Sequence, residues 1–124
     1  MIPHAAIPST DLDRSIAFYS RLGFQEGKRW ERPDWNMQGL FLIHSSGLNL
    51  ELIVHPGNAT IQRHAIPEVQ HIGIPVTDIQ ATFSNLELMH TTIIKPIMPG
   101  ITVNALAFIQ DPDGNTIELF EPKS

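Results

Sequence analysis

Cysteine is absent from this 124-residue chain. That absence excludes disulfides, zinc–thiolate sites, thiol nucleophiles and iron–sulfur clusters. Basic residues are scarce, with 8 Lys and Arg against 13 Asp and Glu and a net charge of −5 when His is neutral. A nucleic-acid binder should present a basic face and a polybasic membrane anchor needs clustered Lys and Arg, so neither class fits. No apolar run approaches the ~18 residues of a membrane span. The opening MIPHAAIPST also lacks the basic start and apolar stretch of a signal peptide. A cytoplasmic protein with a small-molecule substrate, no nucleic acid and no membrane contact is the expectation. Aromatics make up only 7% of residues, yet hydrophobic residues reach 42%, enough for a packed core. At ~100–200 residues per domain, the length allows one domain. Histidine is the residue in excess, at 6.

The chain repeats itself. HAAIPSTDL (4–12) aligns with HIGIPVTDI (71–79), bringing together His4 and His71, Ile7 and Ile74, Pro8 and Pro75, Thr10 and Thr77, and Asp11 and Asp78. GLNLELI (47–53) aligns with GNTIELF (114–120), matching Gly47 to Gly114, Glu51 to Glu118 and Leu52 to Leu119. Phe41 and Phe108 show the same offset of 67. Distant segments sharing one offset without a gap indicate duplication. The chain therefore reads as a single domain, 1–124, made of two modules, about 1–64 and 68–124, with loop signals at Pro56, Gly57, Asn58 and Pro67 between them.

Each module has the same order of elements. In the first, a short strand over 2–8 leads to a helix capped by Asp11. Leu12, Ile16, Tyr19 and Leu22 share a helical face, and Gly23 is the stop. A further strand falls near 24–31. Strands over 39–45 and 48–54 flank a turn at Ser46–Gly47. The second module gives a strand over 69–76 and a helix from Asp78 through Ile79, Phe83, Leu86 and Met89. Strands follow near 91–97, 102–109 and 115–121, with Asp111-Pro112-Asp113-Gly114 as a turn. The module is strand, helix and three strands, an α+β unit.

Four polar residues recur at the common offset: His4, Glu51, His71 and Glu118. In LNLELIV, Leu48, Leu50, Leu52 and Val54 share one face, which leaves Glu51 with Asn49 and Ile53 on the other. A carboxylate in an apolar strand is costly unless it is exposed, paired or bound to metal. Alone, such a Glu reads as a solvated residue and such a His as a hydrogen-bonded structural one. Recurrence of both at one offset changes that reading. Two imidazoles and two carboxylates suit one divalent metal per site with open positions: Ni, Co, Zn, Mn or Fe. His44, His64 and His90 have no like partner at the offset and read as surface or structural. His55, four residues after Glu51, is a candidate to line the same cleft.

These motifs resemble the vicinal oxygen chelate superfamily of glyoxalase I, bleomycin-resistance proteins and dioxygenases. The resemblance rests on HAAIPSTDLDRSIAFYSRLGF, HIGIPVTD and DPDGNTIELFEP, and spans nearly the whole chain. It implies two tandem βαβββ modules forming a curved mixed sheet around a metal cleft, with His4, Glu51, His71 and Glu118 as the metal ligands. Having all four looks most like glyoxalase I. The function so implied is a divalent-metal-dependent lyase or isomerase. It would transfer a proton through a metal-bound enediolate on a small 2-oxo or hydroxy-carbonyl substrate. Glu51 and Glu118 are both candidate bases. Alternatives in the same superfamily are a drug-sequestering binding protein, a metal-dependent epimerase and a thiol transferase. Glutathione-dependent relatives carry an Arg where this chain has Pro8 and an Asn where it has His55, so the resemblance does not carry glutathione over as the thiol. The stretch 27–37 gathers Lys28, Arg29, Trp30, Arg32, Trp35 and Met37 and reads either as an exposed loop or strand edge with a packed Trp or as a candidate lid over an anionic substrate, with Arg63 a weaker candidate. A homodimer is expected. The modules would either share a cleft within one chain or pair with the partner's opposite module.

Overall fold

A computed structural model describes residues 2–60 and 66–123. The chain forms two compact units, Met1–Gln62 and Arg63–Ser124. The first contains β1 (Ala5–Pro8), α1 (Leu12–Ser20), β2 (Phe24–Arg32), β3 (Met37–His44) and β4 (Asn49–Val54). Short 3-10 turns follow β2 and β4. The second contains β5 (Ile72–Pro75), α2 (Ile79–Leu88), β6 (Ile93–Pro99), β7 (Ala105–Gln110) and β8 (Thr116–Glu121). Each unit is a βαβββ module with its own four-stranded mixed sheet, ordered β1-β4-β3-β2 in one and β5-β8-β7-β6 in the other. The first strand of each module pairs parallel to the last, and the other pairings are antiparallel. The fold class is α+β.

Local chemistry starts both helices the same way. The Asp11 carboxylate accepts from the Arg14 amide at 3.1 Å, and Asp78 accepts from the Ala81 amide at 3.1 Å. Each satisfies one of the amides left open at a helix start. α1 packs on β2 and β4, burying Leu12, Phe18 and Tyr19. Tyr19 meets Phe18 and Phe24 edge-on. Beneath them lie Leu40, Leu42, Leu50 and Leu52, all fully buried. Period 2 then turns Glu51 and Ile53 to the other face, partly exposed.

The hairpins that carry the glutamates turn at Gly47 (φ 95°) and Gly114 (φ 84°), where a side chain would be strained. The same turns explain His44. Asp111 Oδ1 accepts from the Asp113 amide at 2.9 Å, and His44 Nδ1 accepts from the Ser46 amide at 3.1 Å at the matching position. The other ring nitrogen, Nε2, then carries the proton and donates to the Leu22 carbonyl at 3.0 Å. His44 is a buried structural residue.

One expectation is corrected. Residues 27–32 are not a lid but the second part of β2, paired with β3 from Arg29↔Leu40 to Arg32↔Met37. The charged sequence GKRWER suits an edge strand, where alternate side chains meet solvent. Arg63 and His64 lie outside the described residues.

Candidate functional site

Each unit brings one His to one Glu. His4 stands just before β1, two residues from Ala6, and Ala6 lies opposite Glu51 in the parallel pairing. The pleat puts His4, Ala6 and Glu51 on one face. His4 Nε2 is 3.3 Å from Glu51 Oε1. In the second unit Gly73 lies opposite Glu118, and His71 Nε2 is 3.8 Å from Glu118 Oε1. The four side chains are between 15% and 26% exposed, so solutes can reach them.

The backbone decides which ring nitrogen faces the carboxylate. His4 Nδ1 is 2.8 Å from the Ile2 carbonyl, and His71 Nδ1 is 2.6 Å from the Pro67 carbonyl. A carbonyl only accepts, so Nδ1 carries the proton and Nε2 of the neutral ring presents a lone pair. A lone pair aimed at a carboxylate is repulsive unless a proton or a cation lies between them. An imidazole held by an Nδ1–H···O=C bond, with Nε2 free, is the usual form of a metal-ligating histidine. The donor chemistry of both pairs therefore fits a divalent cation. Among the described residues no three His, Asp or Glu side chains form a cluster; the donors come as one pair within each unit.

Two phenylalanines complete the pattern. Phe41 lies opposite Glu51 and meets the His4 ring edge-on at 5.0 Å. Phe108 lies opposite Glu118 and meets His71 at 5.4 Å. Sequence reasoning found this pair by its offset but gave it no role. The signal was present: an aromatic residue cross-strand from each glutamate.

The units differ at Trp30. A bulge shifts the β2–β3 register between Glu26 and Arg29. It moves Trp30 opposite Gly39, which lies opposite Ile53 and so on the face of Glu51. The Trp30 indole donates to Glu51 Oε2 at 3.0 Å. The ring fills the space above Gly39, where a Cβ would approach within 2.4 Å. Among the described residues no hydrogen-bond donor holds Glu118 in this way.

The remaining candidates scatter. Arg29 lies opposite Leu40, on the face away from Glu51, with Glu26 at 3.7 Å. The Arg32 guanidinium stacks 3.4 Å over Trp35 and pairs with Asp34, whose carboxyl it holds below the usual range. His55 Nδ1 accepts from the Gly57 amide at 2.9 Å, so its Nε2 carries the proton and is a donor rather than a ligand. A pocket of about 440 Å³ is lined by Glu31, Asn36, Gln38, Val54 and His55, among others. Its Glu31, Gln38 and Val54 share the face opposite Glu51. Among the described residues no helix is long and apolar enough to cross a membrane.

Residues 1–119 match the model of the Glyoxalase/Bleomycin resistance protein/Dioxygenase superfamily. The chain is 33% identical to a lactoylglutathione lyase of Haemophilus influenzae, across 99% of this chain and 93% of the relative. It is 31% identical to a probable lactoylglutathione lyase of Vibrio cholerae, across 98% and 91%. The trypanothione-dependent glyoxalase I of Leishmania major superposes with a TM-score of 0.77 and 31% identity, covering 98% of this chain and 86% of that one. A glyoxalase family protein from Bacillus cereus shares the fold at a TM-score of 0.82 and 18% identity, covering 99% and 94%. By its own motifs and by these matches, the chain belongs to the Glyoxalase/Bleomycin resistance protein/Dioxygenase superfamily.

Proposed function

We propose that this protein is a metal-dependent lyase of glyoxalase type that isomerises the thiol adduct of a 2-oxoaldehyde to a 2-hydroxyacyl thioester. The names of the relatives point to the substrate class. One observation carries the metal dependence: a duplicated His–Glu pair in which a backbone carbonyl holds Nδ1 and leaves Nε2 facing a carboxylate.

His4, Glu51, His71 and Glu118 are the proposed ligands of a divalent cation. When bound, it supplies Lewis acidity that stabilises negative charge on two adjacent substrate oxygens. The chain's own residues move the proton. The C–H bond at the thiol-bearing carbon breaks and a glutamate takes the proton, the electron pair forming a C=C bond as the neighbouring C=O opens. The proton then returns to form a C–H bond at the neighbouring carbon, while the hydroxyl proton passes from the first oxygen to the second and a C=O forms at the thiol-bearing carbon. Glu118 fits that part better than Glu51, since only Glu51 is tied to an indole donor. Phe41 and Phe108 meet the two imidazoles edge-on. The active species is proposed to be a homodimer in the cytoplasm.

The test loads the protein separately with Zn, Ni, Co and Mn, desalts it, and counts retained ions beside His4→Ala. The four-ligand site predicts about one tightly held ion per chain, lost in the variant. Thioester formation from methylglyoxal and a panel of thiols, glutathione included, should require that ion. A chain that retains no metal and forms no thioester would instead be a sequestering protein of the same superfamily.

A further inference from the structure

Glu51 and Glu118 occupy matching positions in two copies of one module, yet only Glu51 has a second polar partner among the described residues. Three features converge on that partner. The bulge after Glu26 turns Trp30 to the face of Glu51. Gly39 leaves the space the ring occupies. The indole Nε1–H then reaches Glu51 Oε2 at 3.0 Å, while Oε1 faces His4. In the second module Leu106 stands at the offset position of Gly39 and lies opposite Met98, so there is neither a donor nor a socket.

We infer that Trp30 is the positioning residue of Glu51: its indole, seated on Gly39, holds Oε2 and leaves Oε1 as the oxygen offered to a cation. The inference rests on the cation reading above. A carboxylate with one oxygen held by a donor cannot rotate freely, so Glu51 is a fixed, single-oxygen ligand. The unpinned Glu118 is left to move. The competing account is packing alone, in which a half-buried Trp covers Gly39 and satisfies its N–H wherever an acceptor lies. The two accounts differ in one respect: positioning acts through Glu51 and packing does not.

The experiment is a double-variant cycle read as Zn²⁺ affinity, using the metal alone with a competing chelator. Trp30→Phe keeps a ring and removes the donor. Removing the partner that orients a metal ligand costs ~10–100-fold in metal affinity, and that loss is expected here. In a Glu51→Ala background the same substitution should cost nothing further. Gly39→Ala, which displaces the indole without deleting it, should reproduce the loss. A metal-free readout accompanies these: in Trp35→Phe protein, the Trp30 indole N–H should exchange slowly with solvent, and Glu51→Ala should abolish that protection. Unchanged affinity in Trp30→Phe, or an equal loss with and without Glu51, would overturn the inference while leaving the metal reading intact. A wild-type chain that binds no Zn²⁺ would overturn both.

Discussion

The two nitrogens of an imidazole are chemically distinct, and in this chain backbone contacts choose between them four times. His4 and His71 give Nδ1–H to a carbonyl and keep an Nε2 lone pair. His44 and His55 accept a backbone amide at Nδ1 and keep an Nε2–H. The first two thereby keep the free lone pair that the proposed ligand role needs, and the others a donor. The alignment at offset 67 separates the same two groups, because only His4 and His71 repeat. The glutamates divide by a second contact, the indole on Glu51. That difference predicts the outcome at Glu118. Glu118→Gln keeps the shape and one acceptor oxygen but removes the basic carboxylate. Turnover of the thiol adduct should fall by ~10²–10⁴-fold, the usual contribution of a general base. Loaded metal should still be countable. Full turnover in a metal-loaded Glu118→Gln protein would remove Glu118 as the base and move that role to Glu51.

The helices and strands serve to aim these side chains. Asp11 and Asp78 cap their helices through the same bond, three residues on, in both modules. Replacing either with Ala should cost about 1 kcal/mol of stability in urea unfolding, the typical value for a lost cap. Zn²⁺ affinity should be unchanged, since neither helix carries a proposed ligand. Much of this scaffold is legible in the sequence. The LNLELIV alternation fixes which face Glu51 takes, and Leu50 and Leu52 are indeed fully buried. Gly47 and Gly114 mark the hairpin turns. What the sequence conceals is register. In GKRWER the polar residues give no alternation, and the bulge between Glu26 and Arg29 sits inside that run. A one-residue slip exchanges the two faces of a strand. Without the bulge, Trp30 would share the face of Gln38 and Arg29 that of Glu51. With it, Trp30 reaches the carboxylate and Arg29 turns away. Sequence can gather Arg29, Trp30, Arg32 and Trp35 as candidates, but tertiary pairing decides which one meets Glu51.

At the scale of the molecule, duplication supplies two equal half-sets of donors. Units of this size are marginal as isolated folds, since a chain of about 60 residues buries only ~60% of its surface. The donor count makes a parallel case for function. Each unit offers one imidazole and one carboxylate within 4 Å of each other. Tight divalent sites use three or four protein ligands, so one pair is too few to retain an ion through desalting. If both pairs serve one ion, the two halves are equally indispensable. The His4→Ala/Glu51→Ala and His71→Ala/Glu118→Ala variants should then each lose essentially all retained Zn²⁺, not half of it. Far-ultraviolet circular dichroism should show both variants folded, because none of the four residues contributes to the leucine core. The measurement is metal content after desalting, by mass spectrometry, per folded chain. About half an equivalent surviving in both variants would mean that each unit binds on its own. The duplication would then have produced two weak sites rather than the two halves of one.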